Sequence, residues 1–193
     1  PEDDAYIFTQ TDCANFIRDR IRDEVAKFGG GSLVAAISKL PINIMKKIEQ
    51  RNKDLVTVRA SDSALSGFAK LMKHKVRKDW NLGAIPVIAD GGKDEGKIVA
   101  TLSASDLRSL TQDEVPFLLR PVTDYLKYIY GKIPTPLSVS AETTFGEALN
   151  KILDNKVHRV WVADGKGSPT GVFALTDAIY QFTSEASKAQ NGG

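Results

Sequence analysis

The chain of 193 residues carries 26 Lys+Arg against 24 Asp+Glu, a net charge of +2, and is 42% hydrophobic, which suits one domain or two small ones with a core that needs no covalent staples. One cysteine, Cys13, and two histidines, His74 and His158, exclude an intrachain disulfide framework and a zinc site built from four Cys or from two Cys and two His. Near-zero net charge argues against nucleic acid held by bulk electrostatics, and no apolar run approaches the roughly 18 residues of a membrane span.

The N-terminal Pro1-Glu-Asp-Asp4 has neither the basic n-region nor the apolar h-region of a signal peptide. There is no initiator Met, so the sequence reads as an excised piece of a longer chain. Its sparse cysteine suits a reducing compartment, the cytoplasm or nucleus. Ile7-Phe-Thr-Gln-Thr-Asp12-Cys-Ala-Asn-Phe-Ile17 predicts an apolar strand, a Thr-x-Thr-Asp junction and a helix. Gly29-Gly-Gly31 breaks that helix. Ile42, Ile44, Met45 and Ile48, with Lys46 and Lys47 among them, predict one more short helix.

An internal repeat follows. Val58–Val76 and Val139–Val157 align without a gap at an offset of 81, with Val58/Val139, Ala60/Ala141, Lys70/Lys151, Lys75/Lys156 and Val76/Val157 identical. Each copy predicts a β-α-β-β-α unit. A β-branched strand (Leu55–Val58; Leu137–Val139) precedes an amphipathic helix, with Ala64, Leu65, Phe68, Leu71 and Met72 at helical spacing in the first copy. Asp62 and Thr143-Thr144 are the predicted N-caps. Two strands joined by a Gly-rich turn come next (Gly91-Gly92; Gly165-Lys-Gly167), then a helix starting at Asp106 or Asp177. The offset falls to 75 beyond Arg77–Asn81 and to 71 at the Asp, so the first copy is the longer. The pattern ending in Asp occurs a third time at Asp12, which suggests that the chain begins inside an earlier repeat. The plainer alternative is a strand leading into a capped helix.

Gln112–Pro136 joins the copies, with a helix predicted over Val122–Tyr130 between Pro121 and Gly131. Residues 183–193 are polar and are expected to fray. The expected divisions are the tail of a preceding motif plus a linker (1–40), a first motif (41–111), a linker helix (112–136), a second motif (137–183) and a flexible tail (184–193).

The second copy, Asn155-Lys-Val-His-Arg-Val-Trp-Val-Ala-Asp164 followed by Gly171-Val-Phe-Ala-Leu-Thr-Asp177, closely resembles a CBS motif. The first, Gly83-Ala-Ile-Pro-Val-Ile-Ala-Asp90 with Leu102-Ser-Ala-Ser-Asp106, resembles one too. Two in tandem are similar to a Bateman module. That implies an α+β fold in which two β-α-β-β-α motifs pack with pseudo-twofold symmetry. Asn155–Arg159 and the linker Tyr128–Leu137 look most like the gamma subunit of AMP-activated protein kinases, a family with four such motifs. The resemblance implies a non-catalytic regulatory subunit that binds AMP, ADP or ATP as exchangeable ligands, with no tightly bound cofactor. Kinase catalytic and scaffold subunits are the implied partners. An isolated module is also expected to form a symmetric dimer if it self-pairs.

Asp106 and Asp177 are the first candidate site residues. A carboxylate accepts through two oxygens, which suits the two hydroxyls of a ribose, the role that the resemblance gives this position. Spacing alone favours an N-cap. The neighbouring hydroxyls are Ser103 and Thr176, whereas Ala174 stands where a first hydroxyl would be; such a lost contact is worth about 0.5–1.5 kcal/mol. His158 and Arg159 suit phosphate. The Arg fork matches its oxygens, and a His becomes charged more readily near an anion. The resemblance assigns them that role, and the alternative is a solvated strand edge. Gly83-Ala84 occupies their place in the first copy, so phosphate contacts there would come from Lys75, Arg77, Lys78 or residues outside this sequence. Adenine needs an apolar slot with backbone partners. By resemblance Thr57, Val58, Ala84 and Ile85, and in the other motif Ser138, Val139 and Val160, would form it, unless they are simply core strand residues.

No Gly-x-Ser-x-Gly, Walker A or His-Glu-x-x-His string is present. His74 reads as a surface residue, Cys13 has no activating pattern, and Trp161 serves either the core or a partner. Two other functions fit: a nucleotide-independent interaction scaffold, suggested by the missing basic pair and hydroxyl, and a CBS segment regulating an attached enzyme or channel.

Overall fold

A computed structural model describes residues 8–29, 31–45, 55–77, 83–108 and 110–191, with side chains described except over 74–77 and 185–191. Their fold is mixed α and β. The chain forms two compact units, one from the described parts of 1–50, 139–162 and 172–193, the other from those of 51–138 and 163–171.

In the first unit, α1 (Gln10–Phe28) starts at Thr9, whose side chain accepts the Asp12 N–H while the Asp12 carboxylate accepts the Thr9 N–H. This capping box places Gln10 and Thr11 of the predicted Thr-x-Thr-Asp junction inside the helix; Ile7 lies outside the described residues. Gly29 ends α1 in the left-handed conformation at φ 68°. Ser32 caps α2 (Leu33–Lys39), and Ile42–Ile44 forms a single 3-10 turn. Lys46, Lys47 and Ile48 of the helix predicted there lie outside the described residues. Thr144 caps α5 (Phe145–Asp154) in a second capping box, with Glu147. That helix buries Phe145, Ala148, Leu149 and Ile152 at successive-turn spacing. The strands β4 (Ser138–Val139), β5 (Arg159–Ala163) and β6 (Pro169–Ala174) form a sheet in that order, of which Ser138, Ala163 and 169–171 fall with the second unit. Phe173 of β6 meets Phe145 edge to face at 5.9 Å. Trp161 is 1% exposed and so serves the core. The last helix, α6, runs from Leu175 to Asn191. That span takes in most of the polar residues 183–193, whose Glu, Ala, Lys and Gln favour helix.

In the second unit, β1 (Val58–Arg59) lies parallel to β2 (Ala84–Ile88), which pairs antiparallel with β3 (Ile98–Ser103). Val58 pairs with Val87, so Thr57 would fall opposite Pro86. Pro86 has no N–H to offer, and β1 is shorter than the predicted Leu55–Val58. On α3 (Ala64–Arg77), Ala64, Phe68 and Leu71 are buried against Val58, Ile85, Leu102 and Tyr125. Its N-terminus is capped by Ser63, which accepts the Ser66 N–H at 3.2 Å, and not by Asp62. Asp62 instead accepts the Arg59 N–H and pairs with Lys70 at 2.8 Å. The linker helix α4 spans Val122–Tyr130 as expected and ends at Gly131, φ 71°. The α-helix predicted from Asp106 is replaced by 3-10 turns over Ala104–Leu107 and Gln112–Leu119. Pro116 within the latter stretch removes a donor that an α-helix needs. The turn between β5 and β6 also clusters here: the Ile98 N–H donates to the Gly167 carbonyl at 3.0 Å.

Candidate functional site

The three Asp junctions share one local geometry. The backbone N–H three residues upstream donates to Oδ2 of each carboxylate: Thr9 to Asp12 at 2.9 Å, Ser103 to Asp106 at 2.8 Å and Ala174 to Asp177 at 2.7 Å. The Asp is therefore the third residue of its helical turn, reaching back to the capping residue, and is not the N-cap that spacing suggested. The bond needs only a backbone donor, so it persists at Ala174, where the hydroxyl is missing.

Environment separates them. Asp12 is exposed, and the Thr9 hydrogen bonds hold its carboxyl below the usual range. Asp106 and Asp177 are 3% and 5% exposed. Burial pushes the Asp106 carboxyl up, opposed by hydrogen bonds from Tyr130 and from the Ser103 backbone.

Two tyrosines of α4 enclose Asp106. The Tyr130 hydroxyl donates to Asp106 Oδ1 at 2.7 Å, and the Tyr125 hydroxyl donates to the Asp106 carbonyl at 2.8 Å. The hydrogen bond to the carboxylate pushes the Tyr130 phenol up to about 12; burial does the same to Tyr125, also about 12. Asp106 lines a cavity of about 350 Å³ with Leu110, Glu114, Tyr128 and Ile129. Sequence reasoning missed Tyr125, Tyr130 and Glu114. The available signal was the aromatic string Tyr128-Ile-Tyr130 immediately before the helix-ending Gly131.

The remaining candidates fall into two groups by unit. In the second unit, the Ser103 hydroxyl lies 3.2 Å from the Gly83 carbonyl and 2.8 Å from the Ser105 hydroxyl. Val58, Ala84 and Ile85 are core residues, each no more than 1% exposed, so only their backbones can meet a ligand; Thr57 is half-buried. In the first unit, the Leu175 N–H donates to the His158 carbonyl at 3.1 Å, bringing His158-Arg159 to the start of α6, which carries Thr176 and Asp177. His158 and Thr176 are exposed, Arg159 and Val139 half-buried, and Val160 fully buried. Ser138 is half-buried and falls with the second unit. The side chains of His74, Lys75 and Arg77, and all of Lys78, lie outside the described residues.

The CBS domain family model matches residues 45–113 and 131–183, more than half of the chain. The chain belongs to the CBS-domain family. It carries two CBS motifs in tandem and resembles gamma subunits of the AMP-activated kinase type. It is 37% identical over 93 residues to the SNF1-related protein kinase regulatory subunit gamma-like PV42a of Arabidopsis thaliana, covering 47% of this chain and 26% of that one. It is 30% identical over 161 residues to the SNF1-related protein kinase regulatory subunit gamma-1-like of Arabidopsis thaliana, covering 77% of this chain and 34% of that one. The chain thus spans about a quarter to a third of the length of these relatives. Solved CBS structures share the fold. The CBS domain of a bacterial CNNM/CorC family Mg2+ transporter in complex with ATP has a TM-score of 0.57 at 18% identity, covering 78% of this chain and 92% of that one. CBSX2 in complex with AMP has a TM-score of 0.54 at 22% identity, covering 75% of this chain and 97% of that one.

Proposed function

We propose that this CBS pair is a non-catalytic, adenine-nucleotide-sensing module of a gamma-type regulatory subunit, serving a protein kinase of the SNF1-related or AMP-activated type in the cytoplasm or nucleus. The observation that carries the reading is the pair of buried carboxylates, Asp106 and Asp177, each held from its own backbone at a strand-to-helix junction. Such a carboxylate is oriented before any ligand arrives, so a ribose need not order it. At the Asp177 junction, His158 and Arg159 lie on the strand start tied to the same helix start. Both supply donors, and Arg159 supplies the fixed positive charge, that phosphates require. AMP, ADP and ATP differ in phosphate charge, so their discrimination falls on this dipeptide. Ligand binding acts on a kinase only through a difference in affinity between its states. The relatives named as SNF1-related kinase regulatory subunits support the choice of partner, and the CBS folds solved with AMP and with ATP support the choice of ligand.

A nucleotide-independent scaffold is the second reading. It is favoured at the first motif, where Gly83-Ala84 supplies no basic pair and both Asp106 oxygens already accept within the chain. Calorimetric titration with AMP, ADP and ATP of the wild type, Asp106→Ala and Asp177→Ala decides between them. Heat that disappears in one Asp variant supports the sensor and locates the working site. No heat with any nucleotide, from protein shown to be folded, supports the scaffold.

A further inference from the structure

We propose that Tyr130 is a latch that competes with ribose for Asp106, and so sets the affinity of that site. The inference rests on reading Asp106 as a ribose carboxylate. Its two oxygens accept from two different sources. Oδ2 takes the Ser103 N–H, three residues away in the same turn. Oδ1 takes the Tyr130 hydroxyl from 24 residues away, on the last residue of α4. With Asp106 3% exposed, a ribose hydroxyl gains Oδ1 by displacing Tyr130.

The two tyrosines around Asp106 differ in what release would cost. Tyr125 is fully buried and bonded to a carbonyl that no ribose needs, so it belongs to the core. Tyr130 is 49% exposed and is followed by Gly131 in the left-handed conformation. With half of its surface already in solvent, its ring loses far less packing on turning out than that of Tyr125 would. Its phenol, pushed up to about 12, stays a proton donor throughout the physiological range.

The adjacent cavity fixes what comes in. Asp106 and Glu114 line it along with Leu110, Tyr128 and Ile129, and none of the five is basic. An anionic phosphate is repelled there, whereas the uncharged nucleoside end of a nucleotide is accepted. The competition lowers apparent affinity by the fraction of molecules in which Tyr130 is released.

The test is calorimetric titration of the whole chain with AMP, comparing wild type, Tyr130→Phe, Asp106→Ala and the near-isosteric Asp106→Asn, each checked for folding by thermal melting. Tyr130→Phe keeps the ring and removes only the competing donor. Expected are binding that weakens or disappears in both Asp106 variants and tightens about tenfold in Tyr130→Phe, the size of one charge-assisted hydrogen bond. Loss of folding lowers affinity, so a gain in a variant that melts as a folded protein points to the removed donor. Binding that needs Asp106 but is unchanged or weaker in Tyr130→Phe overturns the latch alone. Binding undiminished in both Asp106 variants and not raised in Tyr130→Phe, or absent from wild type and Tyr130→Phe alike, overturns the reading of Asp106 as a ribose carboxylate and the latch with it. Binding seen only in Tyr130→Phe supports the latch.

Discussion

Gly83 and His158 hold the same place in their two motifs. The Ala104 N–H donates to the Gly83 carbonyl at 2.9 Å, as the Leu175 N–H donates to the His158 carbonyl at 3.1 Å. The backbones nevertheless differ. Gly83 sits at φ 61°, and among the described non-glycine residues only Lys156 has a positive φ. The first motif enters its strand through a conformation that a side chain at that position strains, which is a backbone reason for its missing histidine.

Restoring the histidine therefore has a cost that does not depend on chemistry. Gly83→His and Gly83→Ala should each lose about 1–2 kcal/mol of stability, because the Cβ alone causes the strain. Denaturant melts of the two variants check this. A Gly83→His protein as stable as wild type would refute the backbone explanation.

Gly67 tests packing against propensity. A Cβ there would stand 2.5 Å from Leu102 Cδ2 and 3.4 Å from Val58 Cγ2, and both residues are fully buried. Replacing Gly by Ala inside a helix ordinarily gains about 1 kcal/mol. Overpacking a filled core costs about 1–3 kcal/mol. Gly67→Ala is expected to be a net loss of up to about 2 kcal/mol by denaturant titration, since the neighbours at risk are core side chains and not flexible surface tips. A stabilised variant would show that Leu102 can yield.

The Asp106 carboxyl should leave a pH signature. Burial raises it above its ordinary value, more than the hydrogen bonds from Tyr130 and Ser103 hold it down. The folded protein then binds this proton more tightly than the unfolded chain does. The stabilisation is fully present below the ordinary carboxyl pKa of about 4 and is lost as pH rises through the folded value. Asp106→Asn does not titrate. The stability of wild type relative to Asp106→Asn should therefore fall as pH rises above about 4, measured by denaturant melts at several pH values. A rise there would mean that the bonds to the carboxylate outweigh its burial.

Much of this architecture is local and was legible. The tandem repeat shows in residue identities at a constant offset, and α4 shows in Pro121 and Gly131, which mark its start and end. Capping could be placed at Thr144 but slipped by one residue at Ser63, where two adjacent side chains compete for the same helix start. The length of β1 was not legible, because it depends on which residue of β2 falls opposite Thr57.

Sequence alone determined the family, the tandem repeat, and the Asp that follows the last strand of each motif, since these depend on motifs and on bonds spanning three or four residues. Only the tertiary structure decided that Asp106 and Asp177 are buried while Asp12 is exposed, and that Tyr130 reaches Asp106 across 24 residues. Burial depends on what other elements pack over a group, and a hydrogen bond across that separation depends on where the fold brings α4. Neither is encoded in the few residues around the carboxylate.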